Sequence, residues 1–475
     1  MNISIISMIL SILFLFQMGA AQTISLEKFM EVVQKDHPFF EKESLSVNIN
    51  IESQKRYLGD KDWIFESSSI ISYNDNSGVT SSTYDKLGQI QLNGSMQKKF
   101  WNTGGRFSVS YLSSYTDQDN RTAFSGTHFK LFKQQLALTY SHPLLKNRGG
   151  ILDRLDYDLA AFTNHFSEVQ TKENQENFLL NIGVDFLDWV FLDEQLNINK
   201  ERLELAEKEL ETSKEKFDAR LVDKVDVLRQ EDAQRIAKQN VVLAQSHWSA
   251  KQTELAVLVP SLSIQKSQPQ FDIYGLVKLG DIDQTINQLN SKSRTLKTFE
   301  IVANQLKLKK DGFSNQGKPQ LDLNLGSVLM EDDESYGKSF GIDNPSLYAG
   351  LMFQYPLGGH TSKSNIRKTE IEILQLNAEK QNVFLELESS IRSLFIQIDD
   401  MEQVLALNQN QIKSARERTA EELKVYKQGR GDMTFVIQSQ DNEANARFTY
   451  LKNSVTYHKL ILQYKSLLDQ LLKSE

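Results

Sequence analysis

Residues 144–259 read LLKNRGGILDRLDYDLAAFTNHFSEVQTKENQENFLLNIGVDFLDWVFLDEQLNINKERLELAEKELETSKEKFDARLVDKVDVLRQEDAQRIAKQNVVLAQSHWSAKQTELAVLV. No proline interrupts the stretch, and past Gly149–Gly150 its only glycine is Gly183. A run of this length, rich in Glu, Lys, Gln, Leu and Ala, predicts long helices. Residues 357–475 are built alike: no proline, and after Gly358–Gly359 only Gly429 and Gly431. Each block is entered through a similar phrase, His142-Pro143-Leu144-Leu145 with Gly149-Gly150 and Tyr355-Pro356-Leu357 with Gly358-Gly359. Just before each phrase, apolar and polar residues alternate as strands do.

Within the first block, Leu196, Leu203, Leu210 and Phe217 recur at a spacing of seven, beside a second column of Leu192, Asn199, Ala206 and Ser213. This predicts a coiled-coil-like seam of one large and one small column. The pattern fades over Asp218–Lys224 and resumes at Val225, so a tight turn between helices is expected there. A helix from about Leu152 to Ala219 would be on the order of 100 Å long. In the second block the break falls at Lys427–Asp432.

Upstream, residues from Thr23 to about Leu58 read as a helix that Pro38 kinks or splits. The period then becomes two. Trp63, Phe65, Ile71 and Tyr73 share one parity; so do Ile90, Leu92 and Met96, then Phe107, Val109 and Tyr111, then Leu136, Leu138 and Tyr140. These are four candidate strands, with a turn at Asn102–Gly105 and polar loops at Asp75–Gly78 and Asp117–Gly126. After a connector at 261–280, a helix is expected from Asp281 to about Lys310, with Gln284 placed for a capping box. Leu321, Leu323 and Leu325, and then Leu347, Ala349, Leu351, Phe353 and Tyr355, alternate again across an acidic loop Glu331–Glu334. Such faces suit a half-buried soluble sheet or a transmembrane barrel, and alternation alone does not choose between them.

The order helix, strands, long helix, turn, long helix therefore occurs twice, an internal duplication. The first repeat covers 22–260, with strands, an extra hairpin at about 88–130 and a long helical hairpin at 144–260. The second covers 281–475, with strands at 319–356 and a helical hairpin at 357–475. The helix starts lie roughly 256 residues apart and the Pro-Leu entries roughly 213, and the difference is the extra hairpin. Residues 1–21 carry an apolar run, Ile5–Phe16, ending in Gly19-Ala20-Ala21, which predicts a secretory signal, although no Lys or Arg precedes the run.

At 24% charged residues and mean hydropathy −0.43, the chain is not a bundle of membrane-spanning helices. A net charge of −8 gives no electrostatic case for nucleic acid. With no cysteine, thiolate metal sites, thiol nucleophiles and disulfides are excluded. No two of the seven histidines stand at metal-ligand spacing, and no phosphate loop, dinucleotide fingerprint or nucleophile elbow occurs. The sequence offers no catalytic, cofactor or metal residues, and an enzyme is not expected. Arg430-Gly431-Asp432 reads as part of a helix turn.

Taken together, the two Pro-Leu…Gly-Gly entries, residues 217–228 (FDARLVDKVDVL) and residues 426–436 (YKQGRGDMTFV) resemble the TolC-like outer-membrane efflux proteins. The resemblance covers nearly the whole chain after the signal, and its order within the duplication carries it. It implies an α+β membrane protein: a homotrimer with a transmembrane β-barrel, four strands per protomer, continuous with a long periplasmic α-helical coiled-coil barrel. Of the first-half strands, 63–74 and 132–142 are expected to span, with the extra hairpin extending above the membrane. The implied function is an exit duct of a tripartite efflux or type I secretion system in the outer membrane of a Gram-negative bacterium. It would act with a periplasmic adaptor and an inner-membrane pump of the RND, ABC or MFS type, and contact outer-membrane lipid. Adaptor contacts are implied at the hairpin tips, Ala219, Arg220, Leu221 and Val222 on the first and Gln428, Gly429 and Arg430 on the second. The family places glycine where this chain has Arg220. A periplasmic gate is implied at Asp226 and Tyr426, with Phe435 and Gln438 where a family member carries carboxylates. The alternative is a periplasmic coiled-coil adaptor or scaffold that spans no membrane.

Overall fold

The computed structural model describes residues 22–79, 82–120, 128–341 and 345–472. The expected signal segment and residues 121–126 of the expected Asp117–Gly126 loop lie outside them. The elements run β1 (Gln22–Ser25), α1 (Leu26–Asp36), α2 (Pro38–Lys55), β2 (Ile64–Asp75), β3 (Tyr84–Phe100), β4 (Gly105–Asn120), β5 (His128–Pro143), α3 (Leu155–Asp218) and α4 (Lys224–Leu258). They continue with β6 (Ser267–Gln270), α5 (Ile282–Lys292), α6 (Arg294–Gln316), β7 (Gln320–Asp333), β8 (Pro345–Gln354), α7 (His360–Lys427) and α8 (Met433–Leu467). They form two compact units, each drawing on both expected repeats.

One unit takes Val47–Glu168 and Thr298–Lys380 and contains a six-stranded antiparallel sheet of order β2-β3-β4-β5-β7-β8. The 88–130 hairpin is therefore part of the sheet itself. Its strands β3 and β4 sit between β2 and β5 and pair along their lengths, from Ile64↔Gln97 to Asp75↔Lys86 and from Arg106↔Ser141 to Asp119↔His128. The expectation of four barrel strands per chain thus meets a sheet of six. The reason is hydrogen bonding: β2 and β5 have no ladder with each other, so β3 and β4 complete both. The acidic residues Glu331, Asp332 and Asp333 are also not a loop but the end of β7, opposite Gln134, Lys133 and Phe132.

The β3–β4 turn docks on the passage from β5 into α3. Gly104 (φ 74°) and Gly150 (φ 67°) both lie in the left-handed region. A Cβ on Gly150 would sit 1.8 Å from the Trp101 carbonyl oxygen, and one on Gly104 2.3 Å from that of Asn147. Only glycine fits either place. Asn147 orders the passage: its Oδ1 accepts from Leu152 N–H at 2.8 Å and its Nδ2 donates to Asp153 at 2.8 Å.

The second unit takes the described residues up to Ser46, Val169–Lys297 and the chain from Gln381 onward. Phe29 and Val33 of α1 pack with Phe186, Leu187 and Trp189 of α3, Leu255 of α4 and Leu451 of α8. Each such buried side chain contributes roughly 2 kcal/mol. A second cluster joins Ile286 and Leu289 of α5, Leu296 of α6, Tyr457 and Ile461 of α8, and Ile391, Ile398 and Leu405 of α7 at a spacing of seven. In α3 both columns are buried near Leu196, which is 3% exposed, and further along only the small one stays buried. Asn199, Ala206 and Ser213 are 8%, 0% and 1% exposed, whereas Phe217 of the large column is 41% exposed. Ala237 and Ala244 of α4 and Ser439 and Ala446 of α8 repeat the pattern, so short side chains set the approach of these helices there, while the longer Gln230 is buried against Met433.

Two local expectations change, and the expected split of the first helix at Pro38 is found. Residues 23–25 belong to β1, which pairs in parallel with β6, rather than to the first helix. That helix splits at His37, and Pro38 opens α2, where its missing N–H costs nothing. The helix expected from Asp281 to about Lys310 breaks at Ser293, whose backbone caps α5 and whose Oγ accepts from Leu296 N–H at 3.4 Å. Asp281 does cap α5, accepting from Gln284 N–H at 2.8 Å.

Candidate functional site

Residues directly opposite in a ladder share a face. Following the register across the sheet, one face carries Phe65 and Ile71 of β2, Ile90, Leu92 and Met96 of β3, and Phe107, Val109 and Tyr115 of β4. It continues through Leu136, Leu138 and Tyr140 of β5, Leu323, Leu325 and Leu329 of β7, and Leu347, Leu351 and Phe353 of β8. The other face carries Glu66, Ser68 and Ser72, then Gln89, Gln91, Asn93 and Gln97, Ser108 and Ser110, Gln135 and Thr139, Asp322 and Asn324. No strand is out of phase, so the largely apolar face runs over all six.

Much of that face is open: Ile71 is 77% exposed, Leu347 80% and Leu351 67%. Polar residues interrupt it: Ser67 and Ser69 of β2 are exposed, Lys98 lies at the β3–β4 turn, and Gln134 toward the opposite end is covered. Gln134 is fully buried beneath the segment after β7, accepting from Tyr111 Oη at 2.5 Å and donating to Ser339 Oγ at 3.5 Å. Tyr336 and Phe340 of that segment face outward. The outer strands β2 and β8 are exposed along nearly their whole length and each has one edge without a ladder.

The tips belong to the other unit and are local copies of one another. At the first, Arg220 N–H donates to Phe217 O at 2.9 Å and Leu221 N–H to Lys216 O at 2.8 Å. At the second, Gly429 N–H donates to Tyr426 O at 3.0 Å and Arg430 N–H to Val425 O at 3.2 Å. Both are left-handed helix ends, with φ 59° at Arg220 and 71° at Gly429. Arg220 therefore occupies a glycine position at a cost of about 1 kcal/mol. Ala219, Arg220, Leu221, Gln428, Gly429 and Arg430 are all exposed, Leu221 by 73%, and Val222 is half-buried.

Of the gate residues, Asp226 lies in the first turn of α4 and Tyr426 in the last turn of α7. Arg229, which the sequence reading did not single out, donates from one Nη1 to Asp226 at 3.2 Å and to Asp432 at 3.4 Å, tying the two tips together. Only the i, i+3 spacing of Asp226 and Arg229 hinted at it. The Asp432 carboxyl is held below the usual range by hydrogen bonds from Thr434, with Arg229 adding to the effect. Exposed as they are, these ion pairs contribute only about 0–1 kcal/mol. Burial raises the Tyr426 hydroxyl above its ordinary value, and Lys216 stands 4.5 Å from its ring centroid. The structure does not join Tyr426 to Asp226 by a hydrogen bond within one chain; their carboxylate and hydroxyl are neighbours only electrostatically. Phe435 and Gln438 lie on one exposed side of α8, Phe435 55% exposed.

Among the described residues no group of His, Asp and Glu is placed to hold a metal ion, and no helix is long and apolar enough to cross a membrane.

No family model and no curated protein matches the sequence. Solved structures do match the fold. The outer membrane protein VceC of Vibrio cholerae superposes with a TM-score of 0.65 at 10% identity, over 94% of this chain and 96% of that one. The Campylobacter jejuni CmeC outer membrane channel gives 0.63 at 14% identity, over 94% and 86%. The Neisseria gonorrhoeae MtrE outer membrane channel gives 0.62 at 12%, over 94% and 89%. The chain thus has the fold of outer-membrane channels, the fold that the resemblance to TolC-like proteins implied.

The tip geometry sets an expectation for stability. A Cβ at Gly429 meets nothing within 4 Å, so Gly429→Ala should cost about 1 kcal/mol through its backbone angle alone. Arg220→Gly, relieving the same angle, should cost nothing or stabilise slightly. Hydrogen exchange at the two turns reads both; equal destabilisation by the two changes would contradict the assignment.

Proposed function

We propose that this protein is an outer-membrane exit duct that conducts substrates passively from a periplasmic adaptor and an inner-membrane pump. The observation that carries this is the largely apolar face that runs over all six strands, backed by a face that is mostly polar on β3, β4 and β5. Lipid on one side and water on the other account for both. In lipid the free edges of β2 and β8 must be paired, and a single chain cannot bend six strands closed on itself around a water-filled pore. The sheet runs alternately up and down, so β8 of one copy meets β2 of the next in antiparallel sense. Such head-to-tail pairing closes into a ring.

Three copies, as the TolC resemblance implies, would then close eighteen strands rather than twelve. A second stripe supports packing between copies. Leu374, Leu385, Ile396 and Leu407 of α7 recur every eleven residues and are 65%, 53%, 59% and 67% exposed. Eleven residues make just over three turns, so the stripe nearly follows the helix axis and suits a neighbouring helix of the periplasmic tunnel. The two halves of the chain act as repeats that each supply strands and one helical hairpin. The exposed tips offer Ala219, Arg220, Leu221, Val222, Gln428, Gly429 and Arg430 to an adaptor. The weak Asp226–Arg229–Asp432 bridge, together with Tyr426, suits a link that must open, and Phe435 and Gln438 line the constriction behind it. An apolar ring at Phe435 closes by dewetting.

The chain has no native cysteine, so the edge pairing is directly testable. A cysteine walked through Ser67–Ser72 of β2, in a chain carrying another at Ala349 of β8, should give disulfide-linked species of up to three chains in membranes. Absence of any linked species at every position, with the protein released among soluble periplasmic proteins, would favour the scaffold alternative. In planar bilayers Phe435→Ala should raise the closed-state conductance at least several-fold; unchanged conductance would remove Phe435 from the gate.

A further inference from the structure

Where β3 turns into β4, the apolar face ends in a cleft of about 580 Å3 lined by Lys61, Lys98, Lys99, Phe100, Trp101 and Tyr140. Its cations are held on aromatic rings. Lys61 Nζ stands 4.2 Å from the Trp101 ring centroid and Lys98 Nζ 5.4 Å from that of Trp63. Lys99 is neutralised by Asp60 at 2.6 Å. Among the described residues neither Lys61 nor Lys98 has a carboxylate partner. Two uncompensated charges in one cleft repel each other, and the arrangement calls for an anion. Trp101 is 7% exposed, is packed edge-on against Tyr157 at 5.6 Å, and has an indole N–H without an acceptor.

The register says what kind of anion belongs there. Lys98 lies on the apolar face opposite Phe107, and the next row along the same face is Phe65, Met96, Val109 and Leu138. A ligand with its charge at the lysines has a hydrocarbon surface beneath it. We infer that this cleft binds the phosphate of an anionic phospholipid headgroup, with the acyl chains lying over Phe65 and Met96. The inference rests on the reading of the sheet as a membrane barrel. Trp63 and Tyr140 stand at the rim as aromatic anchors do, and a lysine near an anionic surface adds roughly a five-fold preference.

The test uses the full-length protein in phosphatidylcholine vesicles that contain a minor fraction of phosphatidylglycerol. Either lipid carries brominated chains, and tryptophan fluorescence is the readout. Brominated phosphatidylglycerol should quench several-fold beyond its share of the lipid. Lys61→Gln with Lys98→Gln should bring quenching down to that share, while quenching by brominated phosphatidylcholine stays the same in both proteins. Inorganic phosphate, at matched ionic strength, should not compete. Quenching by phosphatidylglycerol at its bare share in the unaltered protein overturns the site and leaves the barrel reading standing. Competition by phosphate assigns the cleft to a free anion and overturns the lipid assignment. Quenching by neither lipid overturns the barrel reading and the site with it.

Discussion

Hydrogen bonds along the free edges of β2 and β8 are the constraint on which the rest depends. Every second residue of the twelve in β2 and of the ten in β8 points its backbone donor and acceptor at the free edge, where no ladder among the described residues meets them. In water such edges are tolerable, but the apolar face beside them argues against water. In hydrocarbon each unmet group costs several kcal/mol. On the proposed barrel reading, the edges therefore have to meet each other in another copy. The even number of strands lets identical copies pair without reversing direction. The covered patch around Gln134 fits the same logic, because its side-chain polar groups are satisfied by Tyr111 and Ser339 rather than left on the apolar face.

The long helices meet a different constraint. Their buried seam is built from Asn199, Ala206 and Ser213, Ala237 and Ala244, and Ser439 and Ala446. Small side chains bring helices close but bury little apolar area. Specificity then falls to cross-helix polar links: Arg202 donates to Asp441 at 3.0 Å, Arg447 to Glu201 at 2.6 Å, and Gln440 to Glu209. Leucine-sized residues of α3 and α7 are left partly outside, where a copy can cover them. Near the tips the exposed Arg229 bridge is joined by a buried contact of Gln230 with Met433 and by Lys216 on the Tyr426 ring.

Much of this was legible in the sequence, because helix and strand periods are strong signals when they run for ten residues or more. The β3 and β4 alternation was visible as well. What misled was the count implied by resemblance, since the hydrogen-bond partner of a strand is not written in its own residues. The parallel pairing of Gln22–Ser25 with Ser267–Gln270 was hidden for the same reason: the partners lie far apart and each is four residues long. Ser293 looked like an ordinary helix residue, and only its side-chain bond to Leu296 N–H reveals a break. The small column Asn199, Ala206 and Ser213, read from its spacing of seven, is buried along α3. Arg229 could not be distinguished from the other surface arginines without the fold that brings Asp432 within reach.

The central claim is that the two faces of β3 meet lipid and water. Single cysteines at each position from Gln89 to Gln97, labelled with a nitroxide in proteoliposomes, test it most directly. Collision with oxygen should dominate at Ile90, Leu92 and Met96, and collision with a water-soluble nickel complex at Gln89, Gln91, Asn93 and Gln97. Equal access of the nickel complex to both sets would contradict the account.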